Sequence, residues 1–301
     1  MDLSTAFVQL FPFIYQHTME HIKKPEWLKI NIGTNPRYTE TKRIVDTHHL
    51  HTICSSGRCP NLGECWGKGT ATFLIGGNIC TRSCKFCNTP TGKPLPLDPN
   101  EPLRVAESIQ LMKLNHAVLT SVDRDDLPDL GAGHWVQTIR KIRELNPQIT
   151  LETLIPDFQG KKELIRQITD TRPDIVSHNL ETVSRLTPLV RSVARYETSL
   201  YVIRQIADSG VTAKSGIMTG LGETIGEVEK AMDDLLENGC RILTIGQYLQ
   251  PSRKHYPVAE YISPEQFASY KETALKKGFQ LVESGPLVRS SYYAEKQIQK
   301  F

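Results

Sequence analysis

Residues 70–90, "TATFLIGGNICTRSCKFCNTP", join a short apolar run to a loop holding Cys80, Cys84 and Cys87 in the spacing C-x3-C-x2-C. The run (70–76) has the β-branched, turn-bounded character of a buried strand, and the three thiols stand where it ends. Five further runs downstream have the same character: "AVLTSV" (117–122), "ITLETLI" (149–155), "DIVSHNL" (174–180), "VTAKSGIM" (211–218) and "RILTIGQYL" (241–249). Amphipathic stretches at roughly 101–115, 132–145, 160–170, 196–209, 224–238 and 264–277 predict helices between and after them. Ser263-Pro264-Glu265 has the residues of a helix start, and Gly210, Gly239 and Gly278 stand where helices should stop. Six β-then-α units imply an α/β fold with a parallel sheet whose right-handed crossovers curl it. Six units, short of eight, predict a partial (β/α)6 TIM-like barrel spanning 70–282. An N-terminal extension (1–69) and a short tail (283–301) flank it.

In such barrels ligands bind at the C-terminal ends of the strands. Those ends carry the cysteine loop, then Asp123-Arg124-Asp125-Asp126, Pro156-Asp157, Asn179 with Glu181, Gly220-Leu221-Gly222-Glu223, and Gln247 with Gln250. One rim thus collects thiols, carboxylates, amides and a glycine turn, which predicts a site there. The glycine turn is not a dinucleotide fingerprint, because G-x-G-x-x-G would need glycine where Ile225 stands.

Composition narrows the class. A 301-residue chain can bury a substantial core without disulfides, and a net charge of +3 with near-equal acids and bases predicts neither a nucleic-acid binder nor a strongly steered partner. The early apolar patch "AFVQLFPFIY" lacks a basic flank and a cleavage site, and no run approaches the roughly 18 apolar residues of a membrane span. Six of seven cysteines fall within 34 residues, which suits a cytoplasmic protein using reduced thiols as metal ligands. A second triplet, "CSSGRCPNLGEC", sets Cys54, Cys59 and Cys65 in C-x4-C-x5-C. Structural zinc is an alternative for either triplet, more so for the second, because His48, His49 and His51 lie just upstream. Cys240, alone at the start of a run, reads as a small buried apolar residue.

The C-x3-C-x-F-C loop resembles that of the radical S-adenosylmethionine (SAM) superfamily. Both triplets together with "RSSY" (289–292) resemble the lipoyl synthase family within it, as do "KPEWLKI" (24–30), "SVDRDDL" (121–127), "SHNLET" (177–182) and "GPLVRSSY" (285–292). The resemblance implies that Cys80, Cys84 and Cys87 hold a [4Fe–4S] cluster whose open iron chelates SAM, the source of a carbon radical. It implies an auxiliary [4Fe–4S] cluster on Cys54, Cys59 and Cys65, with Ser291 as fourth ligand, that gives up sulfur to C6 and C8 of an octanoyl chain on a carrier-protein lysine. An unactivated methylene has no acidic proton and no leaving group, so a cofactor must carry this chemistry. Phe86 is expected beside the adenine, Asn179 and Glu181 at the ribose, Gly220 to Glu223 near the nucleoside or methionine, and Arg195 or Arg191 at the methionine carboxylate. The implied partners are an octanoylated lipoyl carrier, an electron donor such as ferredoxin or flavodoxin, and an iron–sulfur cluster carrier. Rival readings are another sulfur-inserting radical SAM enzyme, of the biotin-synthase or methylthiotransferase kind, and a passive iron–sulfur or zinc scaffold. A carrier normally closes each cluster with four thiolates, and neither triplet has a local fourth.

Overall fold

The computed structural model describes residues 23–29, 36–57, 59–67 and 71–291. Tyr292 of the Arg-Ser-Ser-Tyr motif, most of the expected extension's first residues and the end of the chain lie outside them. The N-terminal part supplies helix α1 (Pro36–Thr47), the two-residue strand β1 (His51–Thr52), and short helices α2 (Ile53–Ser56) and α3 (Leu62–Gly67). Thr52 starts α2 by accepting the Ser55 N–H with its side chain, which fixes the turn that holds Cys54.

Six strand–helix units follow: β2 (Thr72–Ile75) with α4 (Glu101–Leu111), β3 (His116–Ser121) with α5 (Ala132–Leu145), β4 (Thr150–Leu154) with α6 (Lys162–Thr169). Then come β5 (Ile175–Ser177) with α7 (Thr187–Val190) and α8 (Tyr196–Asp208), β6 (Thr212–Thr219) with α9 (Ile225–Glu237), and β7 (Ile242–Gln247) with α10 (Pro264–Lys277). A further strand, β8 (Leu281–Gly285), pairs parallel with β7. The sheet runs in chain order from β1 to β8, antiparallel only between β1 and β2, so the six-unit barrel expected from the sequence is present with a strand added at each edge. Both added strands escaped the sequence reading: β1 has two residues, and "LVESG" (281–285) is too short and polar to stand out. The expected boundary between barrel and tail at 282/283 falls inside β8.

Helix ends obey the expected chemistry. Ser263 caps α10 by accepting the Gln266 N–H, Pro264 opens it, and Gly278 closes it at φ +117°, a conformation costly for other residues. Thr224 and Glu227 form a reciprocal capping box on α9.

The strands alternate inward and outward. Outward side chains such as Phe73, Ile75, Leu119 and Leu151 join Val105, Ile109, Trp135 and Ile139 of the helices in the main core. Inward, Ile175, Ile242 and Leu281 form a small apolar plug. In register with two of these residues, Glu152 of β4 beside Ile175 and Lys214 of β6 beside Ile242, Lys214 Nζ meets Glu152 Oε1 at 2.8 Å while the Ser177 hydroxyl donates to the same oxygen at 2.9 Å. These layers fill one end of the barrel and leave the other to the site. Cys240 is fully buried, as its isolation suggested.

Candidate functional site

The C-terminal strand ends open into a chamber of about 370 Å³. Its wall includes Cys80, Cys84, Phe86 and Cys87 from the loop after β2, Cys54 and Cys59 from the N-terminal part, and Arg289, Ser290 and Ser291 from the tail. Asn179, Glu181 and Arg191 complete one side. Cys65 lies on α3 outside the lining, half-buried against the main core, and its N–H donates to the Asn61 carbonyl at 2.8 Å.

Backbone bonds from several elements hold the Cys80–Cys87 loop. Cys80 N–H donates to Pro90 O at 2.8 Å, Lys85 N–H to Val190 O at 2.8 Å, and Tyr256 N–H to Lys85 O at 2.8 Å. His255 Nε2 sits 3.1 Å from Cys87 O. The sulfur of Cys80 accepts the N–H groups of Arg82 and Asp123, both at 3.4 Å. Arg82, between the first two cysteines, is the strongest anchor. Its guanidinium donates to both Asp125 oxygens at 2.7 and 2.9 Å and to both Asp157 oxygens at 2.8 Å, and lies 3.2 Å from Asp123. One buried cation thus ties the loop to the rims of β3 and β4 through paired, geometrically matched bonds. Burial pushes the Asp123 carboxyl up to about 6 against the pull of Arg82. Burial acts the same way on Asp157, but bonds from Arg82 outweigh it and hold that carboxyl down at about 2. The carboxylates were visible in the sequence as a polar rim. Arg82 went unremarked, and the available signal was a lone cation inside a thiol loop facing an acidic rim.

Burial also raises the thiols of Cys54 to about 11 and Cys80 to about 12. Metal coordination reverses that tendency, because a bound cation deprotonates its thiol. The tail closes the chamber over the second triplet. Asn61 Nδ2 donates to Leu287 O at 2.7 Å, and the Thr72 hydroxyl of β2 meets Ser291 Oγ at 2.9 Å. Thr72 also lies beside Cys54, where it opposes the rise that burial imposes on the thiol, so Ser291 and Cys54 share one neighbour. Arg289 is half-buried in the wall beside Cys59, whose charge opposes the lowering that desolvation imposes on the guanidinium.

On the β5 side, Asn179 Nδ2 donates to Glu181 Oε1 at 3.2 Å. Burial raises the Glu181 carboxyl, opposed by nearby Arg191. His178 links this wall together: Arg191 Nη1 donates to Ser199 Oγ at 2.8 Å, Ser199 lies 3.0 Å from His178 Nε2, and His178 Nδ1 lies 2.9 Å from Ile155 O. The carbonyl requires an N–H at Nδ1, which assigns the neutral tautomer with Nε2 accepting from Ser199.

Three residues expected at the cofactor lie elsewhere. Arg195 is exposed at the start of α8 and does not line the chamber, whereas Arg191 does. Gly220 and Glu223 form a self-contained turn outside the lining: Glu223 accepts the Gly220 and Leu221 N–H groups at 2.6 and 2.9 Å. Gly220 is there for close packing, since a Cβ would sit 2.1 Å from Gln247 Nε2.

The donor set fits iron–sulfur clusters and SAM. Both triplets are free thiols, and five of the six bound a common space. Asn179 Oδ1 and Arg191 Nε are buried in its wall without a hydrogen-bond partner, an arrangement suited to a polar ligand. Among the described residues no three His, Cys, Asp or Glu groups converge as a single metal ion requires. A multi-iron cluster makes a wider demand on its thiolates.

Residues 74–235 match the radical SAM superfamily. Over 280 residues the chain is 74% identical to a lipoyl synthase of Bacteroides fragilis (strain YCH46), covering 93% of this chain and 97% of that one. It is 73% identical to one of Phocaeicola vulgatus, covering 93% and 99%, and 58% identical to one of Treponema denticola, covering 92% and 95%. Among solved structures, methylornithine synthase superposes with a TM-score of 0.53 at 12% identity, covering 83% of both chains. SuiB of Streptococcus suis bound to S-adenosylmethionine superposes with 0.57 at 12% identity, covering 78% of this chain and 57% of that one. At such identities these two speak to the fold alone.

Proposed function

The chain belongs to the lipoyl synthase family of the radical SAM superfamily, and from that premise we propose which of its residues perform each part of the reaction. The protein is a sulfur-inserting transferase that places two sulfur atoms at C6 and C8 of a protein-bound octanoyl-lysine. SAM and two [4Fe–4S] clusters, when bound, supply the radical and the sulfur.

Cys80, Cys84 and Cys87 hold the cluster that meets SAM. Arg191, with a buried Nε lacking a partner, takes the methionine carboxylate in place of Arg195, while Asn179 and Glu181 receive the ribose and Phe86 packs on the adenine. Cys54, Cys59, Cys65 and Ser291 hold the sacrificial cluster. A serine alkoxide is a harder, poorer match for iron in a sulfide cluster than a thiolate, so Ser291 is the ligand built to let go. Apolar and backbone surfaces around these groups keep water from the reacting methylene. The work divides between the auxiliary loop before β2, the barrel through β8 and the closing segment that carries Arg289 and Ser291. The observation that carries the assignment is the shared chamber: five cysteines and Ser291 bound one space.

An electron donor of the ferredoxin or flavodoxin kind and an iron–sulfur carrier that rebuilds the spent cluster complete the cycle. Among the described residues no helix is long and apolar enough to cross a membrane. The test is anaerobic reconstitution and incubation with SAM, reductant and an octanoyl-lysyl peptide. Wild-type protein is expected to bind about eight irons and give the dithiolated product. Ser291→Cys is expected to load the same iron yet stall at or before the first insertion; complete lipoyl formation by that variant would remove Ser291 from its role.

A further inference from the structure

Beside the chamber mouth lies a surface the reaction chemistry does not use. Several wall residues are themselves partly exposed, and they mark the mouth: Cys84, Phe86 and Cys87 on one border, Leu249 and Pro251 on another. Lys85 joins these borders, its N–H bonded to Val190 O and its carbonyl to Tyr256 N–H, each at 2.8 Å. The segments it joins carry exposed cations. Arg195 follows the wall residue Ala194, and Arg253 and Lys254 follow the wall residue Pro251 within three positions. Lys85, Arg195, Arg253 and Lys254 are all exposed, and none has an ion-pair partner among the described residues. On the segment whose Val190 O accepts the Lys85 N–H, Leu189 and Val193 expose 47% and 63% of their surface.

On several helices lysines pair with a carboxylate one turn away: Lys42 with Asp46, Lys141 with Glu144, Lys230 with Asp234 and Lys276 with Glu272. The segments at the mouth hold no such pair: Lys85, Arg195, Arg253 and Lys254 stand there without an ion-pair partner among the described residues, and Leu189 and Val193 flank the Val190 that Lys85 bonds. That is the composition of a docking face with an apolar centre and a charged rim.

We propose that this face docks the octanoylated carrier domain, through a carrier surface that presents carboxylates around its modified lysine. The inference rests on the functional reading above, because it supplies the reason for a protein partner at this mouth. The octanoyl chain must enter the chamber while its lysine stays attached to a folded domain, so the domain must rest on the mouth's border. Unpaired cations there select an acidic surface and hasten encounter, an effect that salt screens. Leu189 and Val193 contact whatever apolar residues flank the lysine.

The experiment compares two substrates on reconstituted, full-length enzyme: an intact octanoylated carrier domain and a short uncharged octanoyl-lysyl peptide. The variants are Arg253→Glu with Lys254→Glu, and Val193→Asp, neither touching a residue assigned to clusters or SAM. For the intact carrier, KM is expected to rise at least tenfold at low ionic strength with kcat unchanged, while peptide turnover stays at the wild-type value. The wild-type KM for the carrier should climb with added salt and the charge-reversed variant's should not. Replacing carrier carboxylates near the lysine with lysines should restore the variant. A variant with an unchanged carrier KM, or one that loses both substrates equally, overturns the proposal. So does a change in oligomeric state without a change in carrier KM, which would assign the face to a second copy of this chain. A wild-type enzyme that converts neither substrate overturns the functional reading, and this proposal with it.

Discussion

Arg82 holds three carboxylates from two strands while standing between two cysteines, so its charge and its shape are both in use. A lysine would keep the charge but give up the paired bonds to Asp125 and Asp157. Arg82→Lys is therefore expected to cost about 1–3 kcal/mol of stability and to lower iron retention on the Cys80 loop; iron counting and unfolding curves of apo and loaded protein measure both. Equal iron retention would mean that the backbone bonds alone position the loop. His178 sets a different demand, because burial first and Arg191 second press its pKa from 6.5 to about 4. Above pH 6.5 both folded and unfolded forms are neutral and the histidine adds no pH dependence. As the pH falls from 6.5 toward 4 the unfolded chain takes a proton that the folded one refuses, and stability drops by up to about 3 kcal/mol. Of that, about 2 kcal/mol falls between pH 7 and 5. His178→Gln should flatten the fall, read by denaturant unfolding at the two pH values; parallel slopes for the two proteins would refute the neutral tautomer.

Among the elements, the six strand–helix units were legible because each strand is a compact β-branched run and each helix a long amphipathic stretch. The start of α10 was readable from Ser263 and Pro264 because capping chemistry is local. What escaped was whatever depends on a distant partner. Strand β1 exists only because His51 and Thr52 find Leu74 and Phe73, and β8 only because β7 offers a parallel edge. The tail's docking is likewise non-local and turns on Gly246 of β7. A Cβ there would lie 2.1 Å from Val288 O, against backbone that cannot swing aside. Gly246→Ala should therefore lift the segment carrying Arg289 and Ser291, destabilising the fold by about 1–3 kcal/mol, or several degrees in Tm. The effect on chemistry should resemble loss of Ser291 more than loss of the Cys80 loop: the SAM cluster still forms, and dithiolated product falls. A variant with wild-type Tm and full product would mean that the tail is held elsewhere, for example by Asn61 at Leu287.

For the molecule as a whole, the sequence announced its thiols but not their neighbours. Spacing placed three cysteines on one loop, while the meeting of that loop with Cys54, Cys59 and Ser291 required the barrel to bring residues 54 and 291 to the same neighbour, Thr72. Spacing could not rank Arg195 against Arg191 as the proposed partner of the methionine carboxylate; the turn before α8 leaves Arg195 exposed and Arg191 in the chamber wall. The same distance-blindness hid the Glu152–Lys214 pair, which spans β4 and β6 inside the barrel with side chains 0% and 1% exposed. The pair lies beside the apolar plug, Glu152 in register with Ile175 and Lys214 with Ile242, and neither member lines the chamber. Buried pairs contribute little net stability, yet they punish the loss of one member, because the survivor's charge is left in a medium that cannot solvate it. Lys214→Met should thus cost about 3–5 kcal/mol, whereas Glu152→Leu combined with Lys214→Met should return to within about 1–2 kcal/mol of wild type. If the double variant recovers stability and also keeps its iron and its turnover, the pair belongs to the scaffold. If it recovers stability but loses turnover, the pair shapes the chamber floor, and the boundary between packing and chemistry lies deeper in the barrel than Glu152.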